Sequence, residues 1–298
     1  MSLLSEYNKI AEFYDKNYKK LMIIPFVIIL FSTSFLIFHK ISSGDFFYKD
    51  ISLRGGISVT FSVNQENKQL EENLVKILGT EDVNVRELRD AISQKIKGYE
   101  VQIGGDIDKE TIFSALSEIM GFEINETNSS FGKQTALINS SFIWDNLVLL
   151  FIAFLFVTLV AFYYFKSVTP ALTIIISTFM DIINILAVLT LFKIKIGIGS
   201  IGGLLMIIGF SSDSDILIST YILKRKGKML DKIKKAFFTE FTMELAAYVT
   251  FTIMYLFSSI GIIKHIALIL LIGTFSDAIN SWLFSAAVQR LYVEGKKK

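Results

Sequence analysis

Four aspartates stand inside otherwise apolar runs of this 298-residue sequence: Asp181, Asp213, Asp215 and Asp277. An ionisable side chain at membrane depth is costly unless it faces protein or a water-filled cavity, so each is a candidate for taking up and releasing a proton. Asp181 has Asn184 one turn on, and Asp277 has Asn280 and Ser281, so each belongs to a polar patch on one helical face. Hydrogen bonding between helices accounts for these two as well as proton transfer does. Residues 213 and 215 are ~200° apart around a helix, so at most one of them looks straight into any given cavity. They belong to a belt, Ser211, Ser212, Asp213, Ser214 and Asp215, that a plain anchor has no physical need of. For Asp213, helix packing is the simpler reading and proton coupling the sharper one. Glu240 and Glu244 lie one turn apart at the start of a later apolar run. They are expected to reach the interface and pair with the basic residues before them.

Other chemistries find no footing. The sequence has no GxxxxGK[ST], GxSxG or HExxH pattern, so neither nucleotide cradling nor a familiar hydrolytic site is expected. Cysteine is absent, which removes thiol chemistry, disulfides and Cys-type metal centres. The two histidines, His39 and His265, fall at the ends of apolar runs without carboxylate or cysteine company, so no metal ligand set is expected. With no cofactor motif either, the chain is read as a non-enzyme. Any work it does must draw on an ion gradient or on a partner. A net charge of +2 gives no reason to expect a nucleic-acid ligand.

The elements that must position the aspartates are membrane spans. The chain is 52% hydrophobic, and its apolar residues gather into six runs near 21–38, 143–165, 170–192, 196–223, 237–260 and 265–288. Each is close to the ~20 residues a helix needs to cross hydrocarbon. Residues 41–142 are too polar for lipid and long enough for a small domain. The expected organisation is an N-terminal segment 1–20, a first span 21–38, a domain 41–142, a five-helix region 143–288 and a tail 289–298. The first run has no small-residue cleavage site behind it and reads as an uncleaved anchor.

Basic residues set the orientation. Lys9, Lys16, Lys19, Lys20, Lys166, the stretch 224–235 with seven Lys and Arg, Arg290 and Lys296 to Lys298 fall on one side. Only Lys193, Lys195 and Lys264 occupy the short loops of the other. By the positive-inside rule both termini are cytoplasmic in a multi-pass cell-membrane protein, and 41–142 lies outside. The basic loop is expected to contact lipid headgroups. Asn-X-Ser/Thr triplets at Asn125, Asn128 and Asn139 agree with an external location.

Within 41–142, Ile57, Val59, Phe61 and Val63 alternate with polar residues, predicting a strand over 57–63. Leu70, Leu74, Ile77 and Leu78 share a helical face, a strand follows near 82–88, and Tyr99, Val101 and Ile103 alternate in the next. A second helix places Ile112, Phe113, Leu116, Ile119 and Met120 inward, and a short last strand is predicted at Phe122 and Ile124. The order β-α-β-β-α-β is that of a ferredoxin-like α+β domain. In the fourth span Gly199 and Gly203 have the small-xxx-small spacing of close helix approach, and Gly209 precedes the polar belt.

Two motifs carry a resemblance over nearly the whole chain. SLRGGISVTF (52–61) resembles the Asp-Leu/Phe-x-Gly-Gly segment of the SecF family, the smaller subunit of the SecDF accessory complex of protein export, in its archaeal form. IGGLLMIIGFSSDSDILISTYILKR (201–225) resembles that family's fourth-span signature. Arg54, Gly55 and Gly56 match the first motif, with Ser52 at its usual aspartate position; Gly209 and Asp213 match the second, with Tyr221 where relatives often carry arginine. The resemblance implies a six-span half of an RND-type transporter, paired with SecD so that the two fourth spans meet. It also implies association with the SecYE translocon and help to unfolded preproteins, driven by proton flow. A Gly-Gly turn between span and strand suits transmission of helix movement to the domain, or simply an ordinary connection. A small-molecule or lipid exporter of RND type is the alternative, although such exporters usually carry two halves in one chain. A ligand sensor is a third reading, without a signalling domain to serve it.

Overall fold

Backbone N–H and C=O groups find no water in hydrocarbon, so apolar runs of this length close their hydrogen bonds internally as helices. The computed structural model describes residues 2–50, 53, 55–63, 67, 69–80, 82–90, 93, 95–105, 107–134, 137–258 and 260–296. Its long helices are α1 (Ser2–Leu21), α2 (Ile23–Ser43), α5 (Leu137–Phe165), α6 (Val168–Leu191), α7 (Ile198–Leu223), α8 (Met229–Phe257) and α9 (Gly261–Asn280). A π-helical turn at Ser281–Ser285 carries α9 into α10 (Ala286–Gly295). Among the described residues five helices are long and apolar enough to cross a membrane: Ile23–Ser43, Val148–Phe165, Val168–Leu191, Gly199–Leu223 and Gly261–Gly295. The run expected at 237–260 lies in α8, which has the length but is interrupted by Glu240 and Glu244.

Two boundaries differ instructively from expectation. The first apolar helix runs on to Ser43, five residues beyond Phe38, and stops at Gly44, whose φ of 84° places it in the left-handed region that ends helices. The N-terminal segment is itself helical. Ala11, Tyr14 and Tyr18 are buried at spacings of three and four, and Tyr14 and Tyr18 pack with Ile233 and Ala286. Tyr14 Oη donates to the Trp282 carbonyl at 2.8 Å, and Tyr18 Oη donates to Glu294 Oε2 at 2.7 Å. Arg290 pairs with Asp15 at 2.7 Å, so α1 is fastened to the far end of α10.

The polar region forms a four-stranded sheet with two helices, β1 (Gly56–Ser62), α3 (Leu70–Leu78), β2 (Val83–Arg89), β3 (Ile96–Gly104), α4 (Lys109–Met120) and β4 (Ser129–Gln134). The strand order is β2-β3-β1-β4, with every neighbouring pair antiparallel. β1 sits centrally because its alternation buries Ile57, Val59 and Phe61. Leu70 and Leu74 of α3 and Ile112 and Leu116 of α4 join Tyr99, Val101 and Ile103 in the same core. Each such fully buried aliphatic side chain stabilises by about 1.5–3 kcal/mol. The last strand is the exception to expectation. It lies at Ser129–Gln134 rather than at Phe122 and Ile124. Side-chain hydrogen bonds win over the two apolar residues there: Ile124 N–H donates to Ser117 Oγ at 2.8 Å, and Asn128 Oδ1 accepts from Asn125 N–H at 2.8 Å. Ile124 still enters the core, but from an irregular segment rather than a strand.

This region is moored to the helices by more than the Gly-Gly connection. Gly55 has φ 81°, a conformation a side chain resists, whereas Arg54 and Ser52 lie outside the described residues. Just before it, Asp50 N–H donates to the Ile196 carbonyl at 2.9 Å, and Ile196 N–H donates to the Tyr48 carbonyl at 2.7 Å. The chain leaving α2 is thereby pinned to the connection between α6 and α7. Ion pairs Arg86–Asp50 at 3.3 Å and Lys195–Asp82 at 3.1 Å add two further points of contact.

Candidate functional site

Helix α9 packs against α6, α7 and α8, and the polar residues of all four face one another. Asp181 of α6, Asp215 of α7, Glu240 of α8 and Asp277 of α9 are each 0% exposed, and Glu244 of α8 is 9% exposed. Among the described residues none of the five pairs with lysine or arginine. What neutral donors supply is uneven. Asp181 is well served: Oδ2 accepts from Ser211 Oγ at 2.7 Å, and Oδ1 accepts from Ser276 Oγ at 2.8 Å and Asn280 Nδ2 at 2.7 Å. Behind it, Ser32 Oγ donates to Asn184 Oδ1 at 2.9 Å and Asn184 Nδ2 donates to Ser276 Oγ at 3.0 Å. That chain ends in a cavity of about 560 Å³ whose walls include Ile28, Ser32, Asn184, Tyr248 and Ser276.

Among the described residues, Asp215 and Asp277 share one hydroxyl in close hydrogen-bond geometry. Ser281 Oγ lies 2.9 Å from Asp215 Oδ1 and 3.0 Å from Asp277 Oδ1. A hydroxyl carries one hydrogen, so it satisfies one carboxylate fully, and the other only when that carboxyl holds a proton of its own to donate. The geometry therefore suits a pair that shares a proton. Ser281 opens the π-helical turn, and the widened turn carries Ser281 and Ser285 inward together. The second oxygens of Asp215 and Asp277 have no hydrogen-bond partner among the described residues.

Set against the sequence expectations, the structure brings Asp181, Asp215 and Asp277 together and leaves Asp213 out. Asp213 is exposed on the opposite side of α7, as two residues ~200° apart on a helix require. Glu240 and Glu244 do not reach the interface. Helix α8 begins at Met229, so Glu240 is three turns in and buried, and the basic residues before it find other partners: Lys232 Nζ donates to the Ile222 carbonyl at 3.0 Å, and Lys224 Nζ to the Tyr164 carbonyl at 2.8 Å. The burial of both glutamates on one inward face was readable from their four-residue spacing once the helix start was known. His265 Nε2 lies in a hydrogen bond of 2.7 Å with Ser200 Oγ. Tyr221 bridges α7 and α8 through Thr239 Oγ1 at 3.1 Å.

Of the three glycines, two make the close approach. A Cβ on Gly199 would meet Ile262 at 3.1 Å, and one on Gly203 would meet Ile269 at 3.0 Å, both on α9; Gly209 has open space. Gly203→Val is therefore expected to lower the stability of the purified chain by about 1–3 kcal/mol through overpacking. Gly209→Val should leave its thermal unfolding unchanged. Equal effects of the two would contradict the packing described.

Comparison with known proteins extends this picture. The family model "Protein export membrane protein SecD/SecF, C-terminal" matches residues 135–295. The protein-export membrane protein SecF of Methanolacinia petrolearia is 30% identical over 281 residues, covering 93% of this chain and 94% of its own. That of Methanocaldococcus jannaschii is 30% identical over 284 residues, covering 93% and 96%, and that of Pyrococcus furiosus is 28% identical over 288 residues, covering 94% and 93%. Among solved structures, the translocon-associated membrane protein SecDF from Thermus superposes with a TM-score of 0.68 at 15% identity. That match covers 95% of this chain and 38% of the longer SecDF chain, and it speaks to the fold. With a family match over more than half its length and relatives spanning almost all of it, the chain belongs to the SecF family of protein-export membrane proteins.

Proposed function

We propose that this chain is the SecF-type auxiliary subunit of Sec protein export, and that it couples the movement of protons through its buried carboxylates to help preproteins leave the translocon. The observation that carries the reading is the Asp181, Asp215 and Asp277 cluster, three buried acids without a basic partner among the described residues, set inside a chain of this family. Six spans fit this role best, with α8 as the span that carries the glutamates. The βαββαβ region, with its β2-β3-β1-β4 order, is read as a ferredoxin-like external domain over residues 41–142. Residues 143–288 form the five-helix region, and both termini (1–20 and 289–298) are cytoplasmic. In support of that orientation, Lys195 meets Asp82 at the end of the bundle that bears the domain, whereas α1 meets Arg290 and Glu294 at the end away from it.

Asp213 marks the partner face. A carboxylate exposed at membrane depth is poorly compatible with lipid, so its side of α7 needs a protein neighbour. Met206 and Gly209 share that face and are also exposed. A SecD-like chain is the proposed neighbour, with the SecYE translocon and unfolded preprotein completing the assembly. Purification of the tagged chain from native membranes should bring down a SecD-like chain and translocon subunits. Recovery of the chain as a homo-oligomer alone would instead favour an exporter of RND type.

A further inference from the structure

Three of the buried acids form a tighter group than their neighbours. Carboxylate oxygens of Glu240, Glu244 and Asp277 all lie within 4.8 Å of one another. Asp181 shows how this fold satisfies a buried carboxylate, with two serines and an asparagine; among the described residues the glutamates have no donor in comparable hydrogen-bond geometry. Both oxygens of Glu240, Oε1 of Glu244 and Oδ2 of Asp277 are buried with no hydrogen-bond partner among the described residues. A second observation points into the same space. Ser214, itself 0% exposed, has its hydroxyl beside the carboxyls of Glu240 and Asp277 and closes no hydrogen bond of good geometry among the described residues.

Converging carboxyls without a donor are relieved only by taking up protons or by holding a cation among them, because the low dielectric makes repulsion between bare charges strong. The donor set is oxygen only, which selects hard cations over zinc or copper. Size narrows it further. An ion bound at about 2.3–2.6 Å bridges oxygens up to roughly 4.6–5.2 Å apart, which suits oxygens within 4.8 Å of one another, whereas magnesium gives up its waters reluctantly and suits a dry all-protein site less. We propose that Glu240, Glu244, Asp277 and Ser214 bind a calcium-sized, oxygen-seeking cation, sodium or calcium, between α7, α8 and α9. This goes beyond the export reading and does not rest on it, because binding is read on the purified chain whether or not it assists export.

The test is thermal unfolding of the full chain in detergent, stripped with chelator and held in choline chloride at constant ionic strength. Added sodium or calcium should raise the unfolding temperature saturably, by about 5–10 °C at a hundredfold excess over Kd, and the arm that responds identifies the ion. Equilibrium dialysis should find one ion per chain. Glu240→Gln should abolish both signals, and Glu244→Gln should weaken binding at least tenfold. Because Glu240→Gln keeps the shape of the side chain and removes a buried acid with no basic partner, its ion-free unfolding temperature should equal or exceed that of the wild type, which separates lost binding from lost folding. No response to either ion overturns the proposal. So does an equal response to magnesium or choline, or a response that survives in Glu240→Gln.

Discussion

Asp181→Ala is expected to destabilise the membrane helices by about 3–5 kcal/mol, while Asp181→Asn leaves them close to wild type. The alanine strips the acceptor from three buried donors at once, Ser211, Ser276 and Asn280, which come from α7 and α9. Each donor left unsatisfied costs about 1–3 kcal/mol, and the missing volume adds to it. Asparagine keeps one carbonyl oxygen for Ser276 and Asn280. Its amide then donates to Ser211, whose hydroxyl can turn to accept. Thermal unfolding of the two variants separates the structural role from the chemical one. If Asp181→Asn folds normally yet exports preprotein at about a tenth of the wild-type rate or less, its titration matters. Should Asp181→Ala unfold within about 1 kcal/mol of wild type, the hydrogen-bond network is not what holds α6 to its neighbours.

The second large effect separates the two aspartates of α7. Asp215→Leu forces a branched apolar side chain of different shape against Ser281 and Asp277 in a closely packed interior, although Ser281 Oγ can still donate to Asp277. A loss of about 1–3 kcal/mol in the isolated chain is expected from the altered packing. Asp213→Leu changes an exposed position and should leave the unfolding of the isolated chain unaltered. Its effect should surface in assembly, as a roughly tenfold fall in the SecD-like chain recovered with it. The reverse pattern, a destabilised Asp213→Leu and an indifferent Asp215→Leu, would contradict the orientation of α7.

Much of this was legible in the residues alone because it depends on local pattern. Span positions follow from runs of apolar residues, which no water-soluble arrangement accommodates. The sheet and helices of the polar region follow from periods of 2 and 3.6, and Ile57, Val59 and Phe61 are buried as their alternation predicts. Gly199 and Gly203 meet α9 at the spacing that small residues serve. Motifs flanking the first and fourth spans were enough to suggest the family.

What tertiary structure decided is which side of each element faces inward. Asp213 and Asp215 are indistinguishable by composition, hydropathy and neighbours, and only the packing of α7 on α6 and α9 turns Asp215 in and Asp213 out. Glu240 and Glu244 looked interfacial because their depth was counted from the apolar run. The helix starts earlier, at Met229, and carries them into the bundle. The last strand moved from Ile124 to Ser129–Gln134 because turn hydrogen bonds from Ser117 and Asn128 outweighed two apolar residues. Ser281 bridges two carboxylates only because a π-helical turn rotates it there, and no sequence pattern announces that turn. Periodicity assigns a residue to a face of its own helix. Which face meets which neighbour is set by the mutual fit of helices far apart in the chain, so the carboxylate cluster exists only once they pack.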